Sequence, residues 1–145
     1  MELKSITLLT EREYIKYKSV IPETNWWWWL RSPSPGCGSY VHVIDDDGTL
    51  FDYDCNDYCG GVRPFCIFDI ESDNPLFWCK SEVLVGSKIK YGKYEWTVLN
   101  AENGELHALC DGIIAKHRFD EETNIWQDSE LKVWLETEGL KLITA

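Results

Sequence analysis

Positive charge is scarce in this chain. Fourteen lysines and arginines stand against 25 aspartates and glutamates, a formal net charge of −11, and both halves share the imbalance. Binding nucleic acid through its phosphates needs a basic footprint, so direct nucleic-acid binding is not expected. The acidity suits a basic partner or simple solubility. Long apolar runs are missing too, which excludes a membrane-spanning helix. The opening Met1-Glu2-Leu3-Lys4-Ser5 has no basic-then-apolar pattern of a signal peptide. The expectation is a soluble protein of the cytoplasm, in a bacterial or phage-infected cell.

Catalytic signatures are equally thin. There are three histidines, His42, His107 and His117. None pairs with a nucleophile in a known motif, and no metal-ligand spacing occurs. Of six cysteines, only Cys55 and Cys59 lie close together, and no second Cys/His pair completes a zinc site. Cys66, Cys79 and Cys110 sit in apolar stretches and read as small core residues. Asp45-Asp46-Asp47-Gly48 lacks the spacing and bidentate glutamate of a helix-loop-helix calcium loop and reads as a solvated hairpin tip. No cofactor and no enzymatic activity are expected.

What the chain does have is tryptophan. Trp26-Trp27-Trp28-Trp29 is followed by Leu30-Arg31-Ser32-Pro33. A half-buried strand would turn alternate rings into water, so this block needs cover on more than one side. A second block, Gly60-Gly61-Val62-Arg63-Pro64-Phe65, follows. Arg31 and Arg63 are read as structural, each guanidinium satisfying loop carbonyls or a carboxylate and stacking on a tryptophan. Trp28, Trp96, Trp126 and Trp134 are read as core.

The patterning gives short strands, two helices and long loops, an α+β fold. Residues 2–9 read as a short strand or extended entry. Thr10-Glu11-Arg12-Glu13 is a capping box opening a helix over about 10–20. Tyr40–Ile44 and Thr49–Tyr53 flank the Asp-Gly hairpin turn, and Val62–Ile70 reads as one strand. Residues 71–82 read as a connector. Ser87–Tyr91, Tyr94–Leu99 and Glu105–Asp111 form a meander through the Asn103-Gly104 turn. Asp128 or Ser129 caps a final helix that lays Leu131, Trp134 and Leu135 on one face.

These blocks resemble a domain family of unassigned function common in Gram-positive gut bacteria and their prophages. The quoted pieces are Tyr91–Leu99; Trp126, Ser129, Leu131, Trp134 and Leu135; Leu8–Glu13; Trp27–Pro33; and Gly61–Pro64. The resemblance covers most of the chain, but the halves come in the opposite order. Residues 1–70 match the family's second half and 83–145 its first. Either the domain is circularly permuted through residues 71–82, or the tail of one domain precedes the head of another. A single domain over 1–145 is expected, because each half alone is too small to bury its tryptophans. The closing half of the family also resembles the C-type lectin-like fold of formylglycine-generating enzymes and phage receptor-binding proteins. That second resemblance implies a lectin-like fold, and the paired active-site cysteines of the enzymes are absent here.

Gly36–Gly60, dense in Tyr, Asp, Asn and Ser, lies between the two blocks that would frame a ligand face. The expected binding residues are Trp26, Tyr40, His42, Asp52, Tyr53, Asn56 and Tyr58. The expected function is a non-enzymatic module that presents this loop face to a protein or glycan partner. The alternative is a small acidic phage-encoded inhibitor that blocks a basic, nucleic-acid-processing site of a host defence enzyme through Asp45–Asp47 or Asp120–Glu122.

Overall fold

The computed structural model describes residues 1–145. The fold is α+β, with ten short strands in two five-stranded sheets. In the first sheet the order is β1 (Glu2–Thr7), β6 (Phe65–Asp69), β9 (Glu105–Cys110), β8 (Tyr94–Glu102), β7 (Lys88–Tyr91), all antiparallel. In the second it is β10 (Ala115–Lys116), β5 (Gly61–Val62), β2 (Trp28–Pro33), β3 (Tyr40–Ile44), β4 (Leu50–Asp54), with β2 and β5 parallel. Residues on both sides of 71–82 contribute to each sheet. No helix is long and apolar enough to cross a membrane.

The tryptophan block enters β2, the middle strand of the second sheet. Successive side chains alternate between faces, and here both faces are covered. Trp27 and Trp29 point into a core shared with Val41, Val43, Phe119, Trp126, Leu131 and Leu135. Trp28 and Leu30 point the other way, onto Leu9, Tyr14, Phe65 and Leu109. Trp96 belongs to a third cluster on the first sheet, with Phe68, Val98, Leu106 and Ile143.

Helix α1 (Glu11–Tyr17) carries the capping box in full, with Thr10 Oγ1 accepting from Glu13 N and Glu13 Oε1 accepting from Thr10 N. The final helix, α3, runs through Glu130–Trp134, a π-helical stretch Leu135–Gly139, and Leu140–Thr144. Ser129 caps it by accepting from Lys132 N. A third helix, α2 (Ser81–Leu84), preceded by a 3-10 turn at Pro75–Trp78, begins inside the segment read as a connector. Its four residues are too few to show helical periodicity.

The reading of Val62–Ile70 as one strand needs correcting. The segment breaks at Arg63-Pro64, leaving β5 in the second sheet and β6 in the first. Proline cannot donate to a ladder, and the break lets the chain change sheets. Cys79 also departs from expectation: it is exposed, while Cys55, Cys66 and Cys110 are buried and all six cysteines are free. Leu84 takes the buried place nearby, with Leu76 and Phe77 half-buried beside it.

Candidate functional site

Strands β3 and β4 form a hairpin at the end of the second sheet. Register pairs Tyr40 with Asp54, His42 with Asp52 and Ile44 with Leu50 on one face, and Val41 with Tyr53 and Val43 with Phe51 on the other. The tip closes with Asp45 N donating to Thr49 O and Gly48 N to Asp45 O. Tyr14 of α1 donates to Gly48 O and ties the tip to the core. The carboxylates of Asp45, Asp46 and Asp47 can each bring an oxygen within 4.8 Å of the others. They already serve the turn, Asp47 Oδ1 accepting from Thr49 N and Asp45 Oδ1 from Asp46 N.

A concavity of about 710 Å³ lies along this hairpin, lined by Tyr40, His42, Leu50, Phe51, Asp52, Tyr53, Asp54 and Asp57. Four of the seven residues expected to bind, Tyr40, His42, Asp52 and Tyr53, therefore line one hollow. His42 is held tightly at its floor. Its Nδ1 lies 2.5 Å from Asp52 Oδ1 and its Nε2 3.2 Å from Glu11 Oε2, while Ser34 Oγ donates to the second oxygen of Asp52. Each ring nitrogen thus faces a carboxylate. Tyr40 and Phe51 are 40% and 53% exposed. Tyr53 packs at 4.3 Å on Trp27, which joins the hollow to the core.

The other three expected residues sit elsewhere. Trp26 is 37% exposed, but Lys116 Nζ rides 3.9 Å above its ring and its Nε1 donates to Cys59 O. Asn56 and Tyr58 both accept from Arg118 Nη1, and the Arg118 guanidinium also stacks 5.0 Å over the Tyr58 ring. Arg118 makes a two-pronged bond to Glu130 at 2.7 and 2.9 Å, which raises its pKa. Arg118 was not singled out in the sequence. Its partners lie 12, 60 and 62 positions away, so no local pattern marks it.

Of the residues read as structural, Trp28, Arg63, Trp96 and Trp126 are buried, while Trp134 and Arg31 are half-buried and, against expectation, only Arg63 of the two arginines stacks on a tryptophan. Arg31 Nε donates to Leu8 O and its guanidinium approaches Glu13, fastening β2 to the start of α1. Arg63 is 1% exposed, lies 4.8 Å from the Trp28 ring, and donates to Cys110 O and Asp111 O. Trp126 packs on Phe119, and Trp134 lies at the core's margin against His117. Burial pushes the thiols of Cys55 and Cys110 up to about 11, and that of Cys66 up as well. At neutral pH these three are thiols, not thiolates, and poor nucleophiles.

Residues 2–70 match the family model described as "Domain of unknown function (DUF6273)". The matched stretch contains both the tryptophan block and Gly-Val-Arg-Pro, and the whole hairpin that bears the hollow. No curated protein and no solved structure matches the chain.

The acidic group at 120–122 divides. Asp120 is buried and turned inward, accepting from Glu122 N and Thr123 N at one oxygen and from Glu130 N at the other. Burial pushes its carboxyl up, but these three donors prevail and hold it below the ordinary value. A carboxyl depressed in the folded state adds stability that is complete above the unfolded pKa, about 3.9. That stability fades as pH falls through the folded value. Asp120→Ala is expected to lose about 1–2 kcal/mol at pH 7. Urea midpoints of the two proteins should converge in acid; a gap unchanged down to pH 2 would rule the carboxylate out as the cause.

Proposed function

We propose that the chain is a non-enzymatic binding module that presents the β3–β4 hairpin to a protein partner. One observation carries the reading. Tyr40, His42, Asp52 and Tyr53 line a single hollow with exposed Leu50 and Phe51 at its rim. Partly exposed aromatic rings on a rigid sheet suit recognition, since they lose little entropy on binding. The floor is fixed by the Glu11–His42–Asp52–Ser34 chain of contacts, which keeps the face in one shape before binding. A cytoplasmic setting in a bacterium or phage-infected cell, and a lectin-like fold with permuted halves, belong to the same reading. The sharing of both sheets between residues 1–70 and 83–145 supports the permuted single domain over a fusion of two fragments.

A partner captured from host lysate should bind at least about 1–2 kcal/mol more weakly to Tyr40→Ala or Phe51→Ala, the scale of an interface hot spot. Both rings are exposed, so folding should survive, which circular dichroism checks. Capture of a glycan instead would keep the face and change the ligand class.

The inhibitor reading draws on the hairpin tip, where Asp46 and Asp47 are exposed beside Asp45. Its signature is different: reversing Asp46 and Asp47 to lysine should weaken binding more than removing either ring, with a steep dependence on salt. Asp120 drops out of that reading, since its carboxylate is committed to the loop before α3.

A further inference from the structure

We propose that the outer edge of β4 is a strand-addition site for an extended peptide segment in which basic residues alternate with apolar ones. The proposal rests on the hairpin-face reading above and supplies its mode of binding.

Strand β4 ends its sheet and pairs only with β3. The bonds Asp45 N to Thr49 O and Cys55 N to Ser39 O set the phase of the hairpin ladder. In an antiparallel ladder every second residue bonds to its partner strand and the residues between face away. Phe51 and Tyr53 thus bond toward β3, and the backbone N–H and C=O of Leu50 and Asp52 point outward with no strand to receive them.

The other sheet ends are guarded. Strand β1 packs against the π-helical stretch of α3, and its Lys4 pairs with Glu105. Strand β7 carries Lys88 and Lys90, and β10 has two residues. Charge, cover and shortness are the usual protections of a sheet edge. Strand β4 carries charge too, Asp52 and Asp54, but that charge repels only an acidic strand, and the edge lies beside the hollow and the exposed Leu50 and Phe51.

Charge chooses the occupant. Asp52, Asp54 and Asp57 line the hollow, in a chain of net charge −11. A second copy pairing antiparallel about Asp52 would set carboxylate against carboxylate, and like charges directly opposite are destabilising. A strand with lysine or arginine beside Asp52 and Asp54 gains where the second copy loses. Its intervening residues fall beside Phe51 and Tyr53 and want apolar side chains. Backbone bonds would supply affinity and this alternation the selectivity, as in other strand-addition sites.

The test uses the full chain and a heptapeptide of alternating lysine and valine. Two controls are its glutamate–valine twin and a lysine–valine twin with alternate amides N-methylated, which keeps charge but cannot form the ladder. The lysine–valine peptide should bind about tenfold or more tightly than either control. The amides of Leu50 and Asp52 should gain protection from hydrogen exchange on binding, and Phe51 and Tyr53 should show little change. Equal binding of the N-methylated twin, or binding without protection at Leu50 and Asp52, overturns strand addition. If the signals of Tyr40, His42 and Phe51 still shift in that case, the hairpin face survives and only its mode is wrong. No binding by any peptide at millimolar concentration overturns the proposal. If a captured partner is then also indifferent to Tyr40→Ala and Phe51→Ala, the face itself is wrong. Protection of the same amides in a dimer without peptide would assign the edge to a second copy and overturn the proposal too.

Discussion

Arg63→Ala should lower the free energy of unfolding by about 3–5 kcal/mol, the range for truncating a large buried side chain and leaving its hydrogen-bond partners unmatched. Arg63 stands where the chain passes from β5 to β6, from one sheet to the other. The return passage, from β9 to β10, runs through Cys110 and Asp111, whose carbonyls accept from Arg63 Nε at 2.7 Å and Nη2 at 3.2 Å. Backbone bonds complete the stitch, Cys110 N to Pro64 O and Ile114 N to Val62 O. Trp28 of β2 covers the guanidinium. Asp111 continues the network outward, its carboxylate accepting from Thr97 Oγ1 and Lys88 Nζ. Burial lowers the Arg63 pKa to about 10, so the group is still charged at neutral pH. Removing it unpairs the buried Cys110 carbonyl and the part-buried Asp111 carbonyl and opens a void between the sheets. Arg63→Lys keeps the charge but cannot reach both carbonyls with a planar fork, and should lose an intermediate amount. Urea denaturation followed by tryptophan fluorescence measures both, and an unchanged midpoint for Arg63→Ala would defeat the argument.

That junction also shows where sequence reasoning stops. Thr10–Glu13, Asp47-Gly48 and Asn103-Gly104 announce a cap and two turns because their physics is contained within four residues. The meander of β7, β8 and β9 and the hairpin of β3 and β4 follow from such turns. Arg63-Pro64 marks a break in Val62–Ile70, but that the two pieces serve different sheets depends on partners far along the chain, β2 and β10 for one and β1 and β9 for the other. The need for cover on both sides of the tryptophan block was legible from the alternation of a strand. Which residues supply it was not, because Phe119 and Leu131 arrive from about a hundred positions away. The residues expected to bind divided for the same reason. Tyr40, His42, Asp52 and Tyr53 share a hairpin, so period and turn place them together. Asn56 and Tyr58 lie only a few residues further on, but Arg118 draws them elsewhere. That β4 has an open edge depends on the order of the whole sheet, which no local pattern encodes.

Gly60→Ala should be a severely damaging single-methyl substitution, costing about 3 kcal/mol or more, at or beyond the upper end for overpacking. A Cβ at Gly60 would sit 1.9 Å from Trp29 Nε1 and 2.2 Å from Cε2. A flexible neighbour could move aside, but Trp29 cannot. It is fully buried, its Nε1 donates to His117 O at 2.8 Å, and its ring is wedged between Trp27 and Phe119. Gly60 is fixed from its own side, since its carbonyl accepts from His117 N. The next residue is as confined, because a Cβ at Gly61 would lie 2.6 Å from Trp27 O. The two glycines thus follow from the tryptophan block: the loop backbone passes where no side chain fits. Relief should come from shrinking the ring. Trp29→Phe removes the indole edge that a new methyl would strike, so in the Gly60→Ala background it should cost far less than alone, with a coupling of about 1 kcal/mol or more. Thermal or urea unfolding of the four proteins in the cycle measures this, and simple additivity of the two changes would show that the methyl and the ring never meet.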